Sequence, residues 1–196
     1  MENFSPLTQK TLSGMPILLD SIVLSVEQLK ETFLPIYEEL EKLLNENLPS
    51  KFQLTDWERG VIYLFSDEYK RRYLPSPQAY AEIRYKLVME QNLKRSPTKF
   101  EILFGYLCDD GQVYDGKQNV VYFQLNDNSE KLLDKELLDS IKPNIPETWR
   151  TGIEDDYSSV WIEFDIDETL SVDKVNQCAK DFKEHVLKPV LDKLKK

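Results

Sequence analysis

Apolar residues in the first third of the chain recur at Met15, Leu19, Ile22, Val26, Leu29, Phe33, Ile36, Leu40 and Leu43, in steps of three and four. That spacing places them on one stripe of a helix. Leu34, Tyr37 and Leu44 widen the stripe beyond a narrow coiled-coil seam, so it reads as helix packing on its own domain. Ser25-Val-Glu-Gln28 has the spelling of a capping box, and Pro35 lacks a backbone donor. Together they predict two helical pieces, one ending near Leu34 and the next running to about Asn47.

After Leu48-Pro49-Ser50 the period shortens to two. Gly60-Val-Ile-Tyr-Leu-Phe-Ser66 reads as a strand, and the stretch from Tyr69 to Pro77 as a linker or short helix. Ala81, Ile83, Tyr85, Leu87 and Met89 then alternate with Glu82, Arg84, Lys86 and Val88, the pattern of a half-buried strand, although Ser76-Pro77 is also a helix-start spelling. Phe100 to Cys108 is apolar on both faces, which predicts a central strand. Turn dipeptides follow at Asp110-Gly111 and Asp115-Gly116, then a strand over Val120–Leu125. A helix capped within Asn126–Ser129 runs to about Ile141, where Pro143 and Pro146 end it. A loop carrying Trp149 and Gly152 leads to a last strand, Ser159–Ile166, and Ser171 caps a final helix from Val172 to about Leu194.

Strands in a block, rather than alternating with helices, predict a single α+β domain over residues 1–196. Its expected parts are N-terminal helices, a mainly antiparallel β-sheet of about five strands, and a C-terminal helix packed on the sheet. The helical segment is expected over 1–48, and the sheet with two further helices over 57–196.

Composition adds bounds. A chain of 196 residues with 41% hydrophobic content can build an ordinary core without disulfides or metals. No apolar run approaches the length of a membrane helix, and the start Met-Glu-Asn-Phe-Ser is not a basic-then-apolar leader. The expectation is a cytoplasmic protein whose two cysteines, Cys108 and Cys178, are free thiols. The formal charge of −10 is unevenly spread. Tyr69–Lys99 carries eight basic and two acidic residues, whereas Asp127–Glu168 carries thirteen acidic and four basic ones. Such segregation can create patches of opposite potential.

One phrase has a catalytic spelling. Asp165-Ile-Asp-Glu-Thr169, following Val160-Trp-Ile-Glu-Phe164, resembles the D-x-D-x-T signature of the haloacid-dehalogenase-like phosphohydrolases. The resemblance implies Asp165 as nucleophile on phosphorus, Asp167 as proton shuttle, a magnesium ion, and further catalytic residues on later strands of a doubly wound sheet. Only 27 residues follow Thr169, and they read as one helix. The strand also alternates: Val160, Ile162, Phe164 and Ile166 on one face; Trp161, Glu163, Asp165 and Asp167 on the other. A central parallel strand reads instead as continuously apolar.

No other chemistry is spelled out. His185 is the only histidine, seven positions from Cys178 and so about 10 Å away along a helix. Asp109-Asp-Gly111 to Lys117 lacks calcium-loop spacing. No catalytic residue, cofactor or metal site is assigned. The expected function is a non-catalytic interaction module, its acidic surface of Glu154, Asp155, Asp156, Glu163, Asp165 and Asp167 meeting another protein's basic surface. No membrane partner is expected. The alternatives are a metal-dependent phosphohydrolase using Asp165 and Asp167, and a weak nucleic-acid binder using Tyr69–Lys99, where tyrosines interleave with basic residues.

Overall fold

The computed structural model describes residues 6–64, 80–91, 98–109, 118–128, 133–154, 159–166 and 170–195, with backbone alone at 6–23, 56, 63–64, 80–81, 98, 109, 118 and 154. A long helix, α1 (Pro6–Asn47), precedes four strands, β1 (Phe52–Leu64), β2 (Tyr80–Gln91), β3 (Thr98–Asp109) and β4 (Gln118–Asp127). A short helix, α2 (Lys135–Ile141), leads to the hairpin of β5 (Arg150–Glu154) and β6 (Ser159–Asp165). The chain ends in α3 (Val172–Phe182) and α4 (Lys188–Leu194), joined by a π-helical turn over Lys183–Leu187. No helix among the described residues is long and apolar enough to cross a membrane.

The six strands lie in the order β1-β2-β3-β4-β6-β5, and every neighbouring pair is antiparallel. This is the expected α+β architecture, with one strand more than anticipated. The addition is β5, in the stretch read as a loop. Gly152 there has no side chain of its own, and the Trp161 ring opposite it fills the space, with Cζ2 only 2.0 Å from where a Cβ would stand. Cross-strand filling by an aromatic makes a glycine-bearing strand workable at an edge.

Alternation decides which face each strand turns to the core. Ile83, Tyr85, Leu87 and Met89 of β2, Phe100, Ile102 and Phe104 of β3, Val121, Phe123 and Leu125 of β4, and Val160, Ile162 and Phe164 of β6 are buried together. Tyr85, Phe104 and Phe123 are direct cross-strand neighbours, and their rings stack in a row at 5.3 and 5.4 Å. Phe33 of α1 leans on the row at Tyr85 and Phe104, and Phe182 of α3 at Phe123. Both long helical segments therefore cover one face of the sheet.

The helices depart from expectation in two places. α1 runs unbroken through Ser25 and Pro35 instead of splitting. An interior proline costs a helix about 3 kcal/mol. Burying Phe33, Ile36, Tyr37, Leu40 and Leu44 returns about 1.5–3 kcal/mol each, so packing outweighs the local cost. Tyr37 and Leu44 do widen the stripe, but Leu34 stays 40% exposed. At the C-terminus, Ser171 caps α3 as expected, its Oγ accepting from the Lys174 amide at 3.2 Å. The π-helical turn then lets the Lys188 amide donate to the Lys183 carbonyl, and the next residue, Pro189, has no amide to place.

Two further corrections concern boundaries. β1 begins at Phe52, well before the expected Gly60. Its register shifts between Leu54 and Asp56 and again between Glu58 and Val61, where Gly60 takes the left-handed conformation at φ 65°. These bulges break the alternation that would have announced the strand. The helix expected from Asn126 starts instead at Lys135, with Asp134 as cap accepting from the Leu137 amide at 3.0 Å.

Candidate functional site

β6 places its side chains as its alternation dictates. Val160, Ile162 and Phe164 enter the core, while Trp161, Glu163 and Asp165 face the side of the sheet that the helices leave. Arg150 at the start of β5 stands opposite Glu163. Its guanidinium reaches two carboxylates: Nη2 lies 3.2 Å from Glu163 Oε1, and Nη1 lies 2.9 Å from Asp165 Oδ2. Asp165 is 64% exposed, so this end of the group is open to solvent.

Charge balance within the group shows in Glu163. Burial pushes its carboxyl above the usual range. Arg150 works against the shift, and the neighbouring Asp165 charge adds to it, leaving the net direction upward. Two carboxylates thus share one cation, whose attraction outweighs the Asp165 repulsion at Glu163, and what remains upward is the cost of burial.

Of the six acidic residues expected to act together, the structure brings Glu163 and Asp165 together. Glu154 pairs through its backbone with Ser159, whereas its side chain, Asp155, Asp156 and Asp167 lie outside the described residues. Arg150 was not foreseen as part of the group. Its stretch had no alternation to mark a strand, and its role follows only from the β5–β6 register.

The phrase around Asp165 divides in space. Asp165 turns to the helix-free side, while Ile166 lines a cleft of about 370 Å³ on the helix side, with Leu170, Leu29, Thr32, Tyr106 and Val175. Ser25, Gln28, Ser171 and Val172 complete the described lining, which includes no carboxylate or histidine. The Tyr106 phenol is pushed up by burial and then by the adjacent Cys108 thiol, leaving it a neutral group. Asp167 and Thr169 lie outside the described residues. The doubly wound parallel sheet that the resemblance implies is not the sheet observed, since each pairing among the described strands is antiparallel.

The basic stretch contributes Arg84, Lys86 and Lys99 to the helix-free side, and each meets acid there. Arg84 binds Glu58 at 2.9 Å and lies 3.7 Å from Glu82. Glu82 is buried and accepts a 2.5 Å hydrogen bond from the Tyr122 hydroxyl. Lys86 and Lys99 both reach Glu101, at 3.5 and 3.2 Å. Tyr85 belongs to the core, and Lys70, Arg71, Arg72, Lys94 and Arg95 lie outside the described residues.

Both cysteines are free thiols. Cys178 is buried in the core, and burial pushes its thiol up, so it packs as a small apolar group. Among the described residues no three His, Cys, Asp or Glu side chains converge as metal ligands. No protein-family model, curated protein or solved structure matches the chain.

Proposed function

We propose that the protein is a non-catalytic interaction module whose acidic surface, at the β5–β6 end of the sheet, binds a basic surface on another protein. One observation carries the reading: Glu163 and Asp165 share a single guanidinium at an exposed position. A lysine or arginine from a partner would add a second counter-ion to the pair, and its attraction would be strongest at low salt. Glu154, Asp155, Asp156 and Asp167 lie close in sequence to these two and extend the negative stretch.

The test neutralises Glu154, Asp155, Asp156, Glu163, Asp165 and Asp167 together to their amides. Expected is loss of the proteins that the unaltered chain captures from its own cell lysate, with the thermal unfolding midpoint shifted by only a few degrees. Capture of the same proteins by the neutralised chain sinks the reading. The phosphohydrolase alternative makes a separate demand, magnesium-dependent hydrolysis of a phosphate ester that Asp165→Asn abolishes. The nucleic-acid alternative requires a gel shift at low salt.

A further inference from the structure

The opposite edge of the sheet presents a different surface. Among the described strands β1 is the longest, and among them it pairs on one side only, with β2. No described strand lies along its other side. A free edge offers a row of backbone donors and acceptors to any extended chain, and proteins blunt such edges when they are not used. The two bulges in β1 are partial blunting, because they twist the edge and divide it. They leave regular runs at Phe52–Leu54, Asp56–Glu58 and Val61–Leu64.

Apolar surface collects at this edge. Six large apolar side chains among the described residues are clearly exposed, and Trp57, Val61 and Ile62 all belong to β1. A fourth, Leu34, joins them through α1. Lys30 lies over Gly60, the Tyr37 ring carries the Arg59 guanidinium at 4.8 Å, and Glu41 pairs with Arg59 at 3.1 Å. Positions 30, 34, 37 and 41 fall on one flank of a helix, so Leu34 sits midway along the flank that borders β1. Trp57 and Ile62, opposite the core residues Leu87 and Ile83, turn to the helix side with Leu34, whereas Val61, opposite Arg84, turns to the other face. Apolar residues gathered along one edge mark an interaction surface, whereas scattered ones need no explanation.

Charge selects the occupant. Glu27, Glu31 and Glu38 of α1 stand seven, three and four positions from Leu34 and so share its side of the helix, whereas Glu39 pairs with Lys183 of the C-terminal helical segment and Glu41 with Arg59. A second copy docked edge to edge would bring an identical acidic helix alongside, in a dimer of chains each carrying −10. An extended segment with apolar and basic residues in alternation meets both the apolar patch and the acidic helix. We propose that the edge of β1 along which no described strand lies, with the bordering flank of α1, receives such a basic extended segment of a partner protein as a further strand.

The test is an isotope-edited NMR titration of the full chain with a ten-residue peptide of alternating valine and lysine. Controls are the same peptide with glutamate for lysine, and one methylated on the backbone nitrogens of its pairing edge. Expected are shift changes and slowed amide exchange within Phe52–Leu64, lost with the methylated peptide and weakened about tenfold or more with the glutamate peptide. A Trp57→Ser, Ile62→Ser chain should bind about tenfold more weakly while unfolding at a similar temperature. The proposal is overturned by unchanged β1 amides at millimolar peptide, or by equal binding of the glutamate peptide. It is also overturned by changes confined to β5 and β6, the signature of the acidic surface acting alone. A doubled mass by sedimentation without peptide, with β1 protected, assigns the edge to a second copy and overturns it too.

Discussion

Two ion-pair groups on the helix-free side of the sheet have opposite proportions. Between β2 and β3, one carboxylate, Glu101, is held by two cations, Lys86 and Lys99. Between β5 and β6, two carboxylates, Glu163 and Asp165, share one cation, Arg150. Burial pushes both glutamates upward first. At Glu101 the Lys99 hydrogen bond and the two lysine charges reverse that and hold the carboxyl below its usual range, whereas at Glu163 the upward shift survives. The count of charges along the chain does not distinguish these outcomes; the number of counter-ions each carboxylate meets across the sheet does. The first group has more cations than acids, and the second more acids than cations.

The largest way to break this comparison is to disturb the framework that holds each group. Gly105 of β3 and Gly152 of β5 both stand where a side chain would clash, but against different neighbours. A Cβ at Gly105 would lie 1.9 Å from the Ile83 carbonyl oxygen, so the β2–β3 seam itself would have to open. Gly105→Ala is expected to cost about 4 kcal/mol or more in a urea unfolding series. At Gly152 the obstacle is the Trp161 ring, a side chain at an edge that can turn aside. Gly152→Ala is expected to cost about 1 kcal/mol and to alter tryptophan emission. Equal losses would mean the two ends of the sheet are equally rigid, which would remove the physical basis for treating the second as the adaptable one.

Next in size is the buried carboxylate beside the first group. Glu82 accepts from the Tyr122 hydroxyl at 2.5 Å, both side chains being buried, and Arg84 lies 3.7 Å from its other oxygen. Tyr122→Phe should cost about 2 kcal/mol, because a buried carboxyl group loses a hydrogen-bond donor that solvent does not readily replace. Asp165→Asn should change stability by less than about 0.5 kcal/mol, since its ion pair is exposed. Thermal unfolding of the two variants side by side checks the contrast; a larger loss at Asp165 would make it a structural residue and weaken its assignment to a partner surface.

Much of this was legible in the sequence where one rule acted alone. Alternation put Glu163 and Asp165 on one side of β6 and Ile162 and Phe164 on the other, and the side chain of Ser171 announced its helix. Legibility failed where a distant partner overrode the local signal. Pro35 does not divide α1 because the sheet beneath rewards continuity. Gly152 hid β5 because the ring that completes the strand comes from β6. Bulges at Leu54 and Gly60 broke the alternation of β1. The same limit applies to the site: the acids could be read from the chain, but Arg150 becomes their counter-ion only when β5 is paired with β6.

Removing Arg150 sharpens the functional half of the comparison. Arg150→Gln should cost at most about 1 kcal/mol, given the exposure of its ion pairs. If the acidic surface recruits cations, the variant should hold a lysine-rich peptide several-fold more tightly at low salt, measured by calorimetry. Weaker binding would instead make Arg150 a positioning group for the acids.

The smallest effect concerns pH and has opposite signs in the two groups. Glu101 is lowered, so its contribution to stability is present above the ordinary glutamate value of 4.5 and is lost as pH falls through its folded value. Glu163 is raised, so its contribution is full below 4.5 and is lost as pH climbs through its folded value. Glu101→Gln should therefore destabilise at neutral pH, with the deficit fading in acid. Glu163→Gln should stabilise at neutral pH, with the gain fading as pH falls through the folded value and gone below 4.5. Chemical unfolding of both variants between neutral and acid pH reads the two signs directly. Matching signs would show that the carboxylates share one environment, and then the contrast between the two groups would have no electrostatic support.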